Sequence, residues 1–184
     1  MLQSLPPLEL INGHIIPALD TVGKGFEQGI VFLPQLLMSA EAAKQAFEAA
    51  KQVMQSDEPK QQKGTIILAT VKGDIHDIGK NIVKVLLENY GFHVIDLGKD
   101  VEPQLIVDTA VQHHIKLVGL SALMTTTVPS MEQTIQLLHE QAPWCKTVVG
   151  GAVLTQTYAD MIHADKYAKD AMDTVRYAES IFKD

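Results

Sequence analysis

From residue 65 onward the sequence alternates short apolar runs, rich in β-branched residues, with longer segments whose apolar positions recur every three or four residues. TIILATV (65–71), HVIDLG (93–98), KLVGLSA (116–122) and TVVGGA (147–152) have the first pattern and predict strands. DIGKNIVKVLLENY (77–90), EPQLIVDTAVQHH (102–114) and a segment over 128–141 have the second and predict helices, with two more helical stretches before the C terminus. Gly91 stands where a left-handed cap would end the first helix, and Pro103 near the start of the second, where proline is tolerated. Continuous apolar runs mean strands buried on both faces, and each intervening helix is long enough to cross over and return parallel. The expected fold is α/β: a doubly wound parallel sheet of the Rossmann-like, flavodoxin-like kind.

The N-terminal part has a different rhythm. Leu8, Ile11, Ile15, Leu19 and Val22, then Leu33, Leu36, Leu37, Ala40, Ala43 and Phe47, keep helical spacing throughout and predict at least two helices. The Gly29 region suits the end of the first and Pro34 the opening turn of the second. QSDEPKQQKG (55–64) is polar and unpatterned, so the expected organisation is a helical unit over 1–56, a linker over 57–64 and the sheet domain over 65–184. With 46% apolar and 20% charged residues the chain can bury a core. Its net charge of −7 and fifteen scattered Lys and Arg lack the footprint of a nucleic-acid binder. Cys145, the single cysteine, excludes an intramolecular disulfide. No apolar run reaches membrane-spanning length and no signal peptide is apparent, so no membrane association is expected and the cytoplasm is the expected compartment.

In doubly wound sheets ligands sit beyond the carboxyl ends of the strands. Three such ends carry unusual residues: KGDIHDIG (72–79), SALMTTT (121–127) and GGAVLT (150–155). Asp74 and His76 share one loop, where a carboxylate can hold one ring nitrogen and leave the other for a metal. A protein-built zinc site wants about three or four ligands, and the other two rims offer Ser, Thr and Gly. A metal at His76 would therefore arrive already coordinated by a cofactor, and Gly150, Gly151, Ser121 and Ala122 would let something bulky approach the backbone. Taken singly, each signal has a plainer reading: His76 as a solvated or capping residue, Asp74 as a helix-entry residue, Gly150–Gly151 as a tight turn, and Thr125–Thr127 as a helix cap. His113, His114 and His139 fall within predicted helices and read as solvated, and His93 only begins a strand.

Together the pieces form Asp74-x-His76-x-x-Gly79, then 41 residues, Ser121-x-Leu123, then 26 residues, Gly150-Gly151. This resembles the cobalamin-binding signature of methionine synthase and of the corrinoid proteins of methanol, methylamine and betaine methyltransferase systems. FEQGIVFLPQLLMSAEAAKQAF (26–47) is similar to the helical cap that shields the upper face of the corrin in that family. The resemblance implies cobalamin bound with its benzimidazole detached from cobalt and His76 as the lower axial, metal-binding ligand. Asp74 would hold the other ring nitrogen and Thr127 would bond to Asp74. Gly73, Ile75, Asp77, Ile78 and Gly79 would complete the loop against the cofactor. Ser121, Leu123 and Thr125 would line the nucleotide pocket, with Gly150 and Gly151 leaving room for the base. Phe32, Leu33, Met38 and Ala42 would be the cap contacts. The family's cap is a four-helix bundle, for which residues 1–56 are too few, so a truncated or incomplete cap is expected.

The implied function is that of a methylcobalamin carrier, shuttling a methyl group from a donor methyltransferase to an acceptor, with homocysteine in methionine synthesis as the expected acceptor. Such a chain is not a complete catalyst. It would need separate donor and acceptor methyltransferase domains or subunits and a reductive reactivase, and its short cap leaves room for a homo-oligomer. The alternatives are a cobalamin sensor or storage module and a subunit of an adenosylcobalamin mutase.

Overall fold

In the computed structural model, which describes residues 11–54 and 62–183, the chain divides into two compact units, Met1–Gln61 and Gln62–Asp184. Leu8 and most of the expected linker lie outside the described residues. In the first unit a π-helical turn (Ile11–Ile15) leads into α1 (Ile16–Glu27), and α2 (Leu33–Met54) follows. Gly29, at φ +73°, ends α1: its N–H donates to the Phe26 carbonyl at 3.0 Å and that of Ile30 to Gly25 at 2.9 Å, the paired bonds of a left-handed helix cap. The chain restarts as α2 with the Gln35 side chain accepting from the Phe32 N–H at 2.8 Å, half of a capping box. Leu19, Leu36, Ala40 and Ala43 are buried in this unit.

In the second unit β1 (Thr65–Val71), β2 (His93–Val101), β3 (Leu117–Ser121), β4 (Lys146–Gly150) and β5 (Lys166–Tyr167) alternate with α3 (Ile78–Asn89), α4 (Pro103–Gln112), α5 (Val128–Gln141), α6 (Gln156–Met161) and α7 (Ala171–Ile181). The sheet order is β2-β1-β3-β4-β5 and every pairing is parallel. From Ile66 to Val71 every residue of β1 is buried, as a central strand covered on both faces requires. Ile67, Ala69 and Val71 join Ile106, Val107, Met131, Ile135 and Leu138 in the main core. α3 and α7 pack together, and Phe92 and Phe182 meet with ring centroids 5.6 Å apart.

Several boundaries differ from those predicted, each for a local reason. The fold belongs to the α/β class expected, but β5 was not foreseen; it is two residues long, too short to leave a periodicity. β2 runs to Val101 rather than ending at Gly98. Opposite Leu68–Val71 of β1 it spans Asp96–Val101, so it bulges twice, with Gly98 at φ +88° and Asp100 at φ +56°. α4 stops at Gln112, and His114 is no helical residue: at φ +49° it is the left-handed residue of a helix cap, bonded to Val111 at 3.2 Å, and it stacks on Trp144 at 4.5 Å. Lys63 and Gly64, expected in the linker, belong to the sheet unit. The Lys63 N–H donates to the Gly91 carbonyl, and a Cβ on Gly64 would lie 2.2 Å from the Phe182 ring.

The first bulge of β2 has an electrostatic use. Asp96 accepts from the Gly98 N–H at 2.9 Å and from the buried Lys80 ammonium of α3 at 2.5 Å, with Lys84 at 3.3 Å. Burial would push the Asp96 carboxyl up, but Lys80 and the Gly98 amide outweigh it and hold the pKa below its ordinary value. This pair ties the first turn of α3 to the edge strand. Asp96→Ala leaves the Lys80 ammonium buried without its anion, and the expected cost is about 2–3 kcal/mol in urea denaturation. A cost of only about 0–1 kcal/mol, that of a surface pair, would show that the ammonium reaches water instead.

Candidate functional site

β1 and β3 are neighbours, yet the chain leaves β1 toward β2 on one side and leaves β3 toward β4 on the other. Their carboxyl-end loops therefore diverge and open the crevice where such sheets bind ligands. The loop after β1 begins with a type II turn. The Asp74 N–H donates to the Val71 carbonyl at 3.1 Å, and Gly73 at φ +86° takes the position that requires a left-handed backbone.

That turn sends the Asp74 carboxylate beneath the loop, where it is fully buried. One oxygen accepts from the His76 N–H at 3.0 Å and lies 2.8 Å from His76 Nδ1. The other accepts from the Leu123 N–H at 2.6 Å, the Met124 N–H at 3.3 Å and the Thr127 hydroxyl at 3.2 Å. Burial pushes the Asp74 pKa up, but the His76 and Leu123 amides, with the His76 ring and the Met124 amide, outweigh it and hold the pKa down at about 2. The Thr127 hydroxyl is closer to the Met124 carbonyl, at 2.8 Å, so its one proton is shared between two acceptors.

With a carboxylate on Nδ1, that nitrogen carries the ring proton and Nε2 keeps a lone pair. The His76 side chain is 48% exposed, and no described residue bonds Nε2. Ile75 and Ile78, on either side in the chain, are 61% and 78% exposed, and Leu123 across the crevice is 39% exposed. Gly79 leaves open space where a side chain would stand. Apolar side chains held in water around a free imidazole nitrogen suit a large ligand with an apolar face. Among the described residues no three His, Cys, Asp or Glu come together to hold an ion. A metal at His76 must bring its other ligands with it.

The remaining predicted residues sort by position. Ser121 ends β3 half-buried and lies opposite Thr70, whose buried hydroxyl has no hydrogen-bond partner. A polar ligand group there would satisfy a hydroxyl that otherwise costs about 1–3 kcal/mol. Thr125 is exposed on the 3₁₀ turn Thr125–Thr127, and Asp77 stands at the N-terminal boundary of α3 without a capping bond. Asp74, three residues earlier still, is therefore not a helix-entry residue. Gly151, at φ +136°, is required by the protein itself: a Cβ there would lie 1.8 Å from the Ala122 carbonyl oxygen, whereas one on Gly150 would make ordinary contact with Ala168. In the first unit Phe32 and Met38 are 68% and 73% exposed, while Ala42 lines a cleft of about 380 Å³ with Leu19, Val22 and Ala43. Leu33 and Ala42 are nine residues apart on α2, about 180° around the helix, so the four expected cap contacts do not share one face. Met124, which contributes only backbone groups, and Thr70, inside an apolar run, offered no side-chain pattern to find them by.

Two matches to family models, both described as a B12 binding domain, cover residues 1–51 and 64–182. The chain is 40% identical over 179 residues to dimethylamine corrinoid protein 1 of Methanosarcina acetivorans, covering 96% of this chain and 84% of that protein. A cobalamin-binding protein of Desulfitobacterium hafniense superimposes with a TM-score of 0.83 at 30% identity, over 97% of this chain and 83% of that one. The methanol:cobalamin methyltransferase complex of Methanosarcina barkeri does so with 0.79 at 29% identity, over 96% and 67%.

The buried carboxylate makes a prediction with a definite sign. Its folded pKa of about 2 lies below the ordinary 3.8, so its stabilisation is complete above about pH 4 and is lost as the pH falls through about 2. Asp74→Asn turns an NH2 toward amide donors and is expected to cost about 1–3 kcal/mol at neutral pH. In urea denaturation the gap between variant and wild type should be constant down to about pH 4 and close toward pH 2. A gap that is independent of pH would mean that ionisation of Asp74 contributes nothing.

Proposed function

Because this chain belongs to the B12-binding corrinoid proteins of methyltransferase systems, with cobalamin as its cofactor, we propose that it is a carrier holding a methyl group for transfer between partner enzymes. The observation that carries this reading is a half-exposed His76 whose Nδ1 is held by a fully buried carboxylate and whose Nε2 is free. Cobalamin supplies cobalt chemistry through which a methyl group is accepted from one partner and passed to another.

His76 would hold the cobalt of bound cobalamin through Nε2. Asp74 keeps the ring proton on Nδ1 and fixes the plane of the imidazole, and the Leu123 and Met124 amides keep Asp74 ionised throughout. Gly73, Ile75, Asp77, Ile78 and Gly79 shape the loop that would meet the cofactor. Ser121, Leu123, Thr125 and Gly150 line the path of the nucleotide together with Thr70, while Gly151 serves the contact between the β3 and β4 loops. In the first unit, considered by itself, Phe32 and Met38 are exposed apolar side chains, and Met38 and Ala42, four residues apart, share a face of α2 that Leu33 does not.

The relatives described above are named for dimethylamine and methanol systems, and they lend no support to homocysteine or methionine synthesis. A methylamine is accordingly the favoured methyl source, delivered by a separate methyltransferase subunit. A second methyltransferase takes the methyl group on, and a reductive reactivase restores carriers that have lost an electron. No helix among the described residues is long and apolar enough to cross a membrane.

The test is electron paramagnetic resonance of the cobalt(II) form, wild type beside His76→Ala. Nitrogen coupling from a protein imidazole is expected in the wild type and its loss in the variant. Coupling from the cofactor's own benzimidazole in both would refute His76 as the ligand.

A further inference from the structure

The His76 loop rests against β2, the edge strand, and the second bulge of that strand lies where the loop turns. There Asp100 makes two bonds to the turn. Its carboxylate accepts from the Gly73 N–H at 2.9 Å, and its own N–H donates to the Asp74 carbonyl at 2.9 Å. β1 ends at Val71, in register with Val101, so Asp100 carries hydrogen bonding past the end of the β1–β2 ladder and onto the turn. It does so from φ +56°, a left-handed backbone in which Asp is among the few non-glycine residues tolerated. A strained residue that bonds only to the loop presenting a ligand points to a role in holding that loop.

Resting on the reading of His76 as axial ligand, we infer that Asp100 is a positioning residue: it fixes the Gly73–Asp74 peptides and so sets the direction in which Asp74 holds the imidazole. The arrangement separates this role from folding. The start of α3 is secured independently by Lys80 and Asp96, whereas the Asp100 side chain is 47% exposed and its ionic partner Lys72 is 44% exposed. Lys72 also reaches Glu102 at 3.0 Å, an exposed pairing of small consequence.

Two substitutions isolate the carboxylate's hydrogen bond. Asp100→Gly keeps the left-handed backbone and removes the acceptor. Asp100→Asn keeps both backbone and acceptor and removes only the charge. In cofactor-free protein, exchange of the Gly73 and His76 amides, followed by NMR, should quicken in Asp100→Gly and match wild type in Asp100→Asn. On loading, Asp100→Gly should bind cobalamin about tenfold more weakly, with part of its cobalt(II) lacking imidazole nitrogen, and Asp100→Asn should restore both. Unchanged exchange and affinity in Asp100→Gly would overturn the inference. So would a defect that Asp100→Asn shares, which would assign the effect to charge, or a loss of binding matched by an equal loss of unfolding stability. The exchange measurement needs no cofactor and decides the matter even if the wild type shows no histidine nitrogen on cobalt, the result that would end the axial-ligand reading alone.

Discussion

One buried carboxylate holds this site together. Asp74 is reached by the loop after β1 and by the loop after β3, and its two oxygens divide the work: one fixes His76, the other gathers two amides and a hydroxyl from across the crevice. Taking a carboxylate out of water is costly, and only several donors at hydrogen-bonding distance make it tolerable. The same donors explain why it stays ionised, and an ionised Asp74 in turn decides which imidazole nitrogen is free. Fold stability and ligand chemistry meet in a single group, so neither loop can move without disturbing the other.

Around this link the chain places structure where side-chain chemistry alone would not. The edge strand bulges twice, once at Asp96 against α3 and once at Asp100 against the turn. Each bulge re-aims a carboxylate toward an end of the His76 loop, a use to which bulges near functional sites are suited. Gly151 has a related purpose: its missing side chain lets the β3 and β4 loops touch through backbone. The crevice is thus bordered by main-chain contacts on both sides, and its exposed apolar side chains, Ile75, Ile78 and Leu123, stand on a braced floor.

Much of this was legible beforehand, because periodicity and spacing are properties of the chain itself. The alternation of buried runs and helical segments implied the parallel α/β sheet, and the unusual residues at Asp74, His76, Ser121 and Gly150 pointed to the strand ends as the place to look. Less legible were features made by backbone. Met124 and Gly73 act through amides that every residue has, and β5 is too short to show a pattern. His114, predicted to lie within a helix, ends one instead, because the cap's left-handed residue need not be glycine. Of the expected cap contacts on α2, Leu33 and Ala42 stand on opposite sides of the helix, while Met38 and Ala42, four residues apart, share a face.

The sequence by itself determined the class of fold, the two-part organisation of its patterning and the strand-end loop that offers an imidazole beside a carboxylate, Asp74 with His76. These follow from hydrophobic period and from residue types whose chemistry is intrinsic, an imidazole two positions from a carboxylate above all. Only the tertiary structure decided that Asp74 is fully buried, that its donors come from a loop about fifty residues away, and that Asp100 on an edge strand braces the turn. Burial and hydrogen-bond partnership depend on which strands become neighbours, and neighbours in a sheet are chosen by the packing of the whole chain.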